Sequence, residues 1–294
     1  MTNPDPMKFY KSPEGYRLSM AFYDSAFMGM KVPCESTFVE TRHGRTHVII
    51  SGKKNGPPVV LFHGLSANPT MWIMQIEALA KTYRVYAPDT IGQMGKSAPV
   101  RLPERGPGYG EWAADTLDGL GLKQANLIGS SFGGWLIFKL AAVAPQKIKS
   151  AILMSTAGIK RAGFVARLGF LLVPMIPFPM KASEMGLKMM LPPGVQPDAN
   201  TQALSDLMMA HFRLEQVPGP LPDTDLKTLT APTALMMGQY DIAFNPNAVI
   251  ERALRVLPNL VSVEVVPGVG HGMNVDKPAE VNARLLAFLQ KYGV

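Results

Sequence analysis

The sequence predicts an α/β fold, a parallel sheet with crossover helices, and three observations carry that prediction. Short apolar runs rich in β-branched residues alternate with longer stretches of helical periodicity. Gly129-Ser130-Ser131-Phe132-Gly133 joins one such run to one such helix by a turn that only glycines can make tight. About 75 residues separate the run ending near Ser155 from the next one at Thr233, far more than an ordinary α/β connection, so a further structure is inserted there.

In chain order, residues 8 to 30 read as an amphipathic leading helix or arm, and His43-Gly44-Arg45 suits an antiparallel hairpin between the first two strands. Strands follow at Thr46 to Ser51, Pro58 to Phe62, Arg84 to Ala87, Asn126 to Gly129, Ser150 to Ser155, Thr233 to Met237 and Ser262 to Val266. Helices are expected at Thr70 to Lys81, Gly110 to Leu120, Phe132 to Val143, Asn247 to Leu257 and Pro278 to Tyr292, several with Pro, Gly or Asn at their ends. The insert carries Met175, Met180, Met185, Met189, Met190, Met208 and Met209. Such pliable side chains suit either the insert's own small core or the lining of a substrate pocket.

With 294 residues, 47% of them hydrophobic, the chain can bury one large core. Its single cysteine, Cys34, cannot form an intramolecular disulfide. Residues 1 to 30 lack the pattern of a signal peptide, and Phe164 to Pro179, the most apolar stretch, is too short and proline-broken to span a bilayer. A cytoplasmic protein without stable membrane insertion is the expectation. The net charge of +7 is spread thinly, in pairs such as Lys53-Lys54 and Lys160-Arg161, which reads as a solvated surface rather than a nucleic-acid site.

The chemistry begins at Ser131, which has glycines at both minus two and plus two, whereas Ser130 has Ile128 and Phe132 there. A serine hydroxyl needs a histidine to take its proton and a carboxylate to orient that histidine. Of five histidines, His43 and His47 fall in the early hairpin, His63 follows a strand and His211 lies in the insert. His271 sits in Gly268-Val269-Gly270-His271-Gly272, between the last strand and the last helix, a loop suited to delivering an imidazole to the sheet edge. Asp241 follows the strand Thr233 to Met237, at the carboxyl end where open α/β sheets bind ligands. The order Ser131, Asp241, His271 is that of α/β-hydrolases. The backbone N–H groups of Leu65, in the His63-Gly64-Leu65 turn, and of Phe132 are the expected donors to a developing oxyanion.

With these motifs, and with Asp89-x-x-Gly92 and Gly95-Lys96-Ser97 beside them, the chain from about Phe38 onward resembles the α/β-hydrolases. Thr46-His47-Val48-Ile49 with Ser51-Gly52, and Thr70-Met71-Trp72, are similar to bacterial carboxylesterases of the naproxen-esterase type. The resemblance implies a mostly parallel eight-stranded sheet flanked by helices and an inserted helical cap. Its expected parts are an arm at 1–36, a core at 37–158 and 226–294, and a cap or lid at 159–225. It also implies hydrolysis of a small-molecule ester without metal or cofactor.

Other readings share some of these features. Gly95-Lys96-Ser97 would end a phosphate-binding loop only with glycine at position 90, which is Thr90. Dehalogenases and epoxide hydrolases of this fold carry aspartate where this chain has Ser131. Cofactor-free perhydrolases and carbon–carbon bond hydrolases keep the serine triad, so spacing leaves them open alongside esterases. A non-catalytic protein binding a ligand in the same pocket is the alternative from another class.

Overall fold

The computed structural model describes residues 5–175, 177–215 and 217–293. Eight strands form one sheet: β1 (Cys34–Val39), β2 (Thr46–Gly52), β3 (Pro58–Phe62), β4 (Arg84–Pro88), β5 (Ala125–Ser130), β6 (Ile148–Met154), β7 (Thr233–Gly238) and β8 (Leu260–Val266), in the spatial order β1-β2-β4-β3-β5-β6-β7-β8. β2 is antiparallel to both β1 and β4, and every other pairing is parallel.

Each central strand is apolar at consecutive positions because both sheet faces are covered. Val60 and Phe62 of β3 pack on one face with Leu127 and Leu153, against α3 (Gly108–Gly119) and α4 (Phe132–Val143). Val59 and Leu61 pack on the other face with Ile128 and Ile152, against α1 (Pro13–Met28), α2 (Ile73–Leu79) and α11 (Pro278–Tyr292). α9 (Pro246–Val256) joins the first face, and the short α10 (Met273–Asp276) precedes α11. The period of two along a strand thus builds two cores from one sequence run.

Local chemistry sets the helix ends. Ser12 caps α1 by accepting the Gly15 N–H at 3.0 Å, with Pro13 at the first helical position. The helix expected at Thr70 to Lys81 is shorter than its pattern. Asn68 accepts the Thr70 N–H at 2.9 Å and Pro69 follows, which starts a single 3-10 turn over Pro69–Trp72, and α2 proper runs only over Ile73–Leu79.

Between β6 and β7 the chain forms α5 (Phe164–Leu172), α6 (Pro179–Met190), α7 (Ala199–His211) and the short α8 (Asp223–Leu226). α6 and α7 lie side by side, tied by a buried hydrogen bond of 2.9 Å between the Ser183 and Ser205 hydroxyls. The leading segment straps onto α7: Lys11 N–H donates to the His211 carbonyl and Arg213 N–H to the Phe9 carbonyl, both at 2.8 Å. Among the described residues, no helix is long and apolar enough to cross a membrane.

Candidate active site

Four loops at the carboxyl ends of the strands supply the site. Ser131 lies between β5 and α4 with φ 51° and ψ −110°, a conformation that L-residues avoid and that stores on the order of 1–3 kcal/mol of strain. Its backbone is held on both sides: Ser131 N–H donates to the Met154 carbonyl at 2.9 Å, and Ala157 N–H donates to the Ser131 carbonyl at 3.1 Å. A Cβ on Gly133 would sit 1.9 Å from the Phe62 carbonyl oxygen, so glycine alone lets α4 start this close to β3.

Asp241 and His271 meet beside this turn, both buried. Asp241 Oδ1 accepts the N–H groups of Ala243 at 2.9 Å and Phe244 at 3.0 Å, and both carboxylate oxygens lie 3.1 Å from His271 Nδ1. Burial by itself pushes the Asp241 carboxyl up, but the His271 imidazole and the Phe244 N–H outweigh it and hold the group below the usual carboxylate range. An ionised carboxylate can only accept, so this contact selects the tautomer of the neutral imidazole with its proton on Nδ1 and Nε2 free to accept. The loop is also pinned from the insert, since His271 N–H donates to the Met190 carbonyl at the end of α6, at 2.9 Å. A Cβ on Gly270 would come within 2.3 Å of that carbonyl oxygen.

Ser131, His271 and Leu65 line one cavity of about 260 Å³, and Asp241 stands behind His271 outside its lining. Phe132 buries its ring against Trp135, stacked at 5.2 Å, and presents only its backbone at the first turn of α4. Among the described residues, neither Leu65 N–H nor Phe132 N–H is taken by a protein acceptor. Leu65 lines the cavity, and Phe132 directly follows Ser131 in the chain.

The other four histidines lie elsewhere. His63 is fully buried, and its Nε2 accepts the Thr90 N–H at 3.0 Å, so Nδ1 donates to the Gly64 carbonyl at 2.8 Å. Burial lowers its pKa, and it stays a neutral brace for the turn that carries Leu65. His43 faces Glu111, His47 faces Tyr23 and Asp89, and His211 ends α7.

The insert's methionines divide by position. Met189, Met190, Met208 and Met209 line the cavity, whereas Met175, Met180 and Met185 are exposed. Three further side chains near the site carry no motif. Gln93 accepts the Ser66 N–H, Glu215 reaches the cavity while bonded to Gln93, and Asp276 accepts the Gly270 N–H. Gln93 stands inside Gly92-Gln93-Met94-Gly95, a glycine-spaced turn after β4 that is its one mark in the sequence.

The family model for the alpha/beta hydrolase fold matches residues 57–168. The chain is 30% identical over 296 residues to the carboxylesterase YbfK of Bacillus subtilis, with 97% of each chain covered. It is 27% identical over 286 residues to the uncharacterized carboxylesterase nap of the same organism, covering 90% of each. The crystal structure of a naproxen esterase from Bacillus subtilis superposes with a TM-score of 0.83 at 27% identity, covering 95% of this chain and 99% of that one. The chain belongs to the α/β-hydrolase family, within which it is carboxylesterase-like.

Proposed function

We propose that this protein hydrolyses carboxylic esters of hydrophobic small molecules through an acyl-enzyme formed on Ser131, with His271 as general base and acid and Asp241 as its orienting carboxylate. The observation that carries the reading is the convergence of a strained serine and a carboxylate-oriented imidazole on one largely apolar cavity. The carboxylesterase names of relatives matching nearly end to end point the same way.

In this reading His271 Nε2 takes the Ser131 hydroxyl proton as Oγ attacks the ester carbonyl. The Leu65 and Phe132 N–H groups hold the negative oxygen of the tetrahedral intermediate. Collapse expels the alcohol, which receives the proton from His271, and leaves Ser131 acylated. Water, deprotonated by His271, then attacks the acyl carbon and releases the acid and free Ser131. No metal or organic cofactor takes part. Residues 159–225 act as the lid over the acyl pocket, and Met189, Met190, Met208 and Met209 mould it around the apolar group.

The test is turnover of a short-chain p-nitrophenyl ester together with covalent labelling by a fluorophosphonate. Both are expected in the parent protein and absent in Ser131→Ala, and Asp241→Asn is expected to lower kcat by about 10⁴-fold, as loss of the orienting carboxylate does in a serine triad. A parent protein that neither turns over the ester nor takes the label overturns the reading and leaves a ligand-binding role. Labelling at Ser131 without ester turnover, but with cleavage of a diketone or formation of a peracid from a carboxylic acid and hydrogen peroxide, would move the assignment to the carbon–carbon or perhydrolase class.

A further inference from the structure

The outer face of the cap runs against the usual pattern of a surface helix. Such helices turn apolar residues inward and charged residues to water. In α5 the inward residues Ala166 and Gly169, with Val173 just beyond, line the cavity, yet the outward stripe is also apolar: Phe164, Leu168, Leu171 and Leu172, at spacing i, i+4, i+7, i+8. The stripe continues through Met175, Phe178, Met180 and Met185. Of the nineteen large apolar side chains exposed among the described residues, these eight fall within one 22-residue stretch. Phe164 is 76% exposed, Met175 72% and Met180 67%, so they are not the edges of buried residues. A contiguous patch of this kind on a folded protein marks a surface that meets something apolar.

Charge identifies the partner. Lys160, Arg161, Arg167 and Lys181 flank the patch, and from 159 to 185 the sequence holds one acidic residue, Glu184, which pairs with Lys188. None of the four makes a salt bridge among the described residues, whereas cations elsewhere do, as in Arg42–Asp115, Lys96–Asp24 and Lys147–Asp118. An apolar stripe rimmed by uncompensated cations fits an interface that is apolar within and anionic at its surface. A second copy of this chain would instead bring the same four cations face to face.

We propose that the outer face of the cap, from Lys160 to Met185, docks the protein peripherally on an anionic lipid surface. The apolar stripe enters the boundary between headgroups and acyl chains while the four cations meet lipid phosphates. Because the other side of α5 is cavity wall, docking sets the pocket beside the lipid phase. That placement lets hydrophobic esters reach Ser131 without crossing bulk water. The docking stands on its own observations, and only this delivery of substrate rests on the esterase reading.

The test is co-sedimentation of the full chain with sucrose-loaded vesicles of phosphatidylcholine, with and without one-third phosphatidylglycerol, at low and high salt. Binding is expected to the mixed vesicles at low salt and to fall at least tenfold on pure phosphatidylcholine or in 1 M salt, since roughly two cations' worth of attraction already amounts to more than that. Leu171→Ser with Phe178→Ser, and separately Arg167→Glu with Lys181→Glu, should each abolish binding. Both pairs should leave hydrolysis of a water-soluble short-chain ester and the melting temperature unchanged. Absence of binding to the mixed vesicles overturns the proposal, as does equal binding to both vesicle types. A dimer in sedimentation equilibrium that Leu171→Ser with Phe178→Ser converts to monomer would also overturn it, assigning the patch to a second copy. Vesicle binding by a chain that shows no esterase activity would keep the docking and remove only the esterase reading.

Discussion

The side-chain oxygen of Gln93 accepts the backbone N–H of Ser66 at 2.7 Å, and so fixes the turn that carries Leu65. Ser66 has φ 57°, a left-handed conformation that a serine does not hold unaided. Gln93 is oriented in turn, its Nε2 donating to Glu215 at 2.9 Å, and Glu215 lies 3.3 Å from the Arg101 guanidinium, which rests 4.1 Å from the centre of the Phe9 ring. A chain of contacts therefore runs from the leading arm through the return of the insert to the proposed oxyanion donor.

Removing Gln93 should accordingly reach kcat before it reaches binding. Gln93→Ala frees the Ser66 N–H and lets the Leu65 N–H drift, and misplacement of about 1 Å costs up to about 10²-fold in rate. The expected result is a fall of kcat by about 10- to 100-fold with KM within about threefold and a nearly unchanged melting temperature. Glu215→Gln, which keeps an acceptor for Gln93 Nε2, should retain most of the rate. Steady-state kinetics with a soluble ester measure both, and a Gln93→Ala enzyme with parental kcat would show that the turn holds itself.

The elbow makes a prediction about stability as well as rate. In Gly133→Ala the new methyl group would meet the Phe62 carbonyl oxygen at 1.9 Å and its carbonyl carbon at 2.6 Å, main chain that cannot rotate aside as a flexible side chain could. Either β3 or the start of α4 must shift, with a loss of about 1–3 kcal/mol typical of overpacking and displacement of Ser131 from its strained position. Gly219→Ala is the control, since a Cβ there meets nothing within 4 Å and should change stability by less than about 0.5 kcal/mol. Denaturant unfolding and fluorophosphonate labelling rates read the two effects separately.

What the sequence discloses and what it conceals divide along contact distance. β3 at Pro58–Phe62, α4 at Phe132–Val143 and α11 at Pro278–Tyr292 are legible to the residue because glycine, proline and apolar period all act within a few positions. Ser131, Asp241 and His271 are legible as candidates for the same reason, each following a strand with glycine close by: Gly129 and Gly133, Gly238, and Gly270 and Gly272. The exchange that seats β4 between β2 and β3 has no local mark. Nor has the bond from Gln93 to Glu215, which spans 122 positions. The methionines show the limit most directly: Met185 and Met189 are one helical turn apart on α6, yet Met185 is exposed and Met189 lines the cavity. Only the packing of α6 against its neighbours decides which is which.

Asp276 carries a prediction in pH. Its Oδ2 accepts the Gly270 N–H at 2.7 Å, next to His271, and burial pushes the carboxyl up to about 6 against the opposing pull of that N–H and of His271. The unfolded chain releases this proton near the ordinary aspartate value of about 3.9. Between about pH 4 and 6 the folded state thus holds more proton than the unfolded one, and stability falls as pH rises through that window. The contribution is fully present below about pH 4 and lost above about pH 6. Asp276→Asn is neutral throughout and can still accept the Gly270 N–H through its side-chain oxygen. At pH 8 it should therefore melt higher than the parent by about 2 °C, on the order of 1 kcal/mol once solvent screening of this partly exposed group is allowed for. The gap should shrink steadily as pH falls toward 5. Thermal melts of both proteins across that range decide it: a gap independent of pH, or a variant that melts lower at pH 8, would mean that the Asp276 anion is fully compensated in the fold.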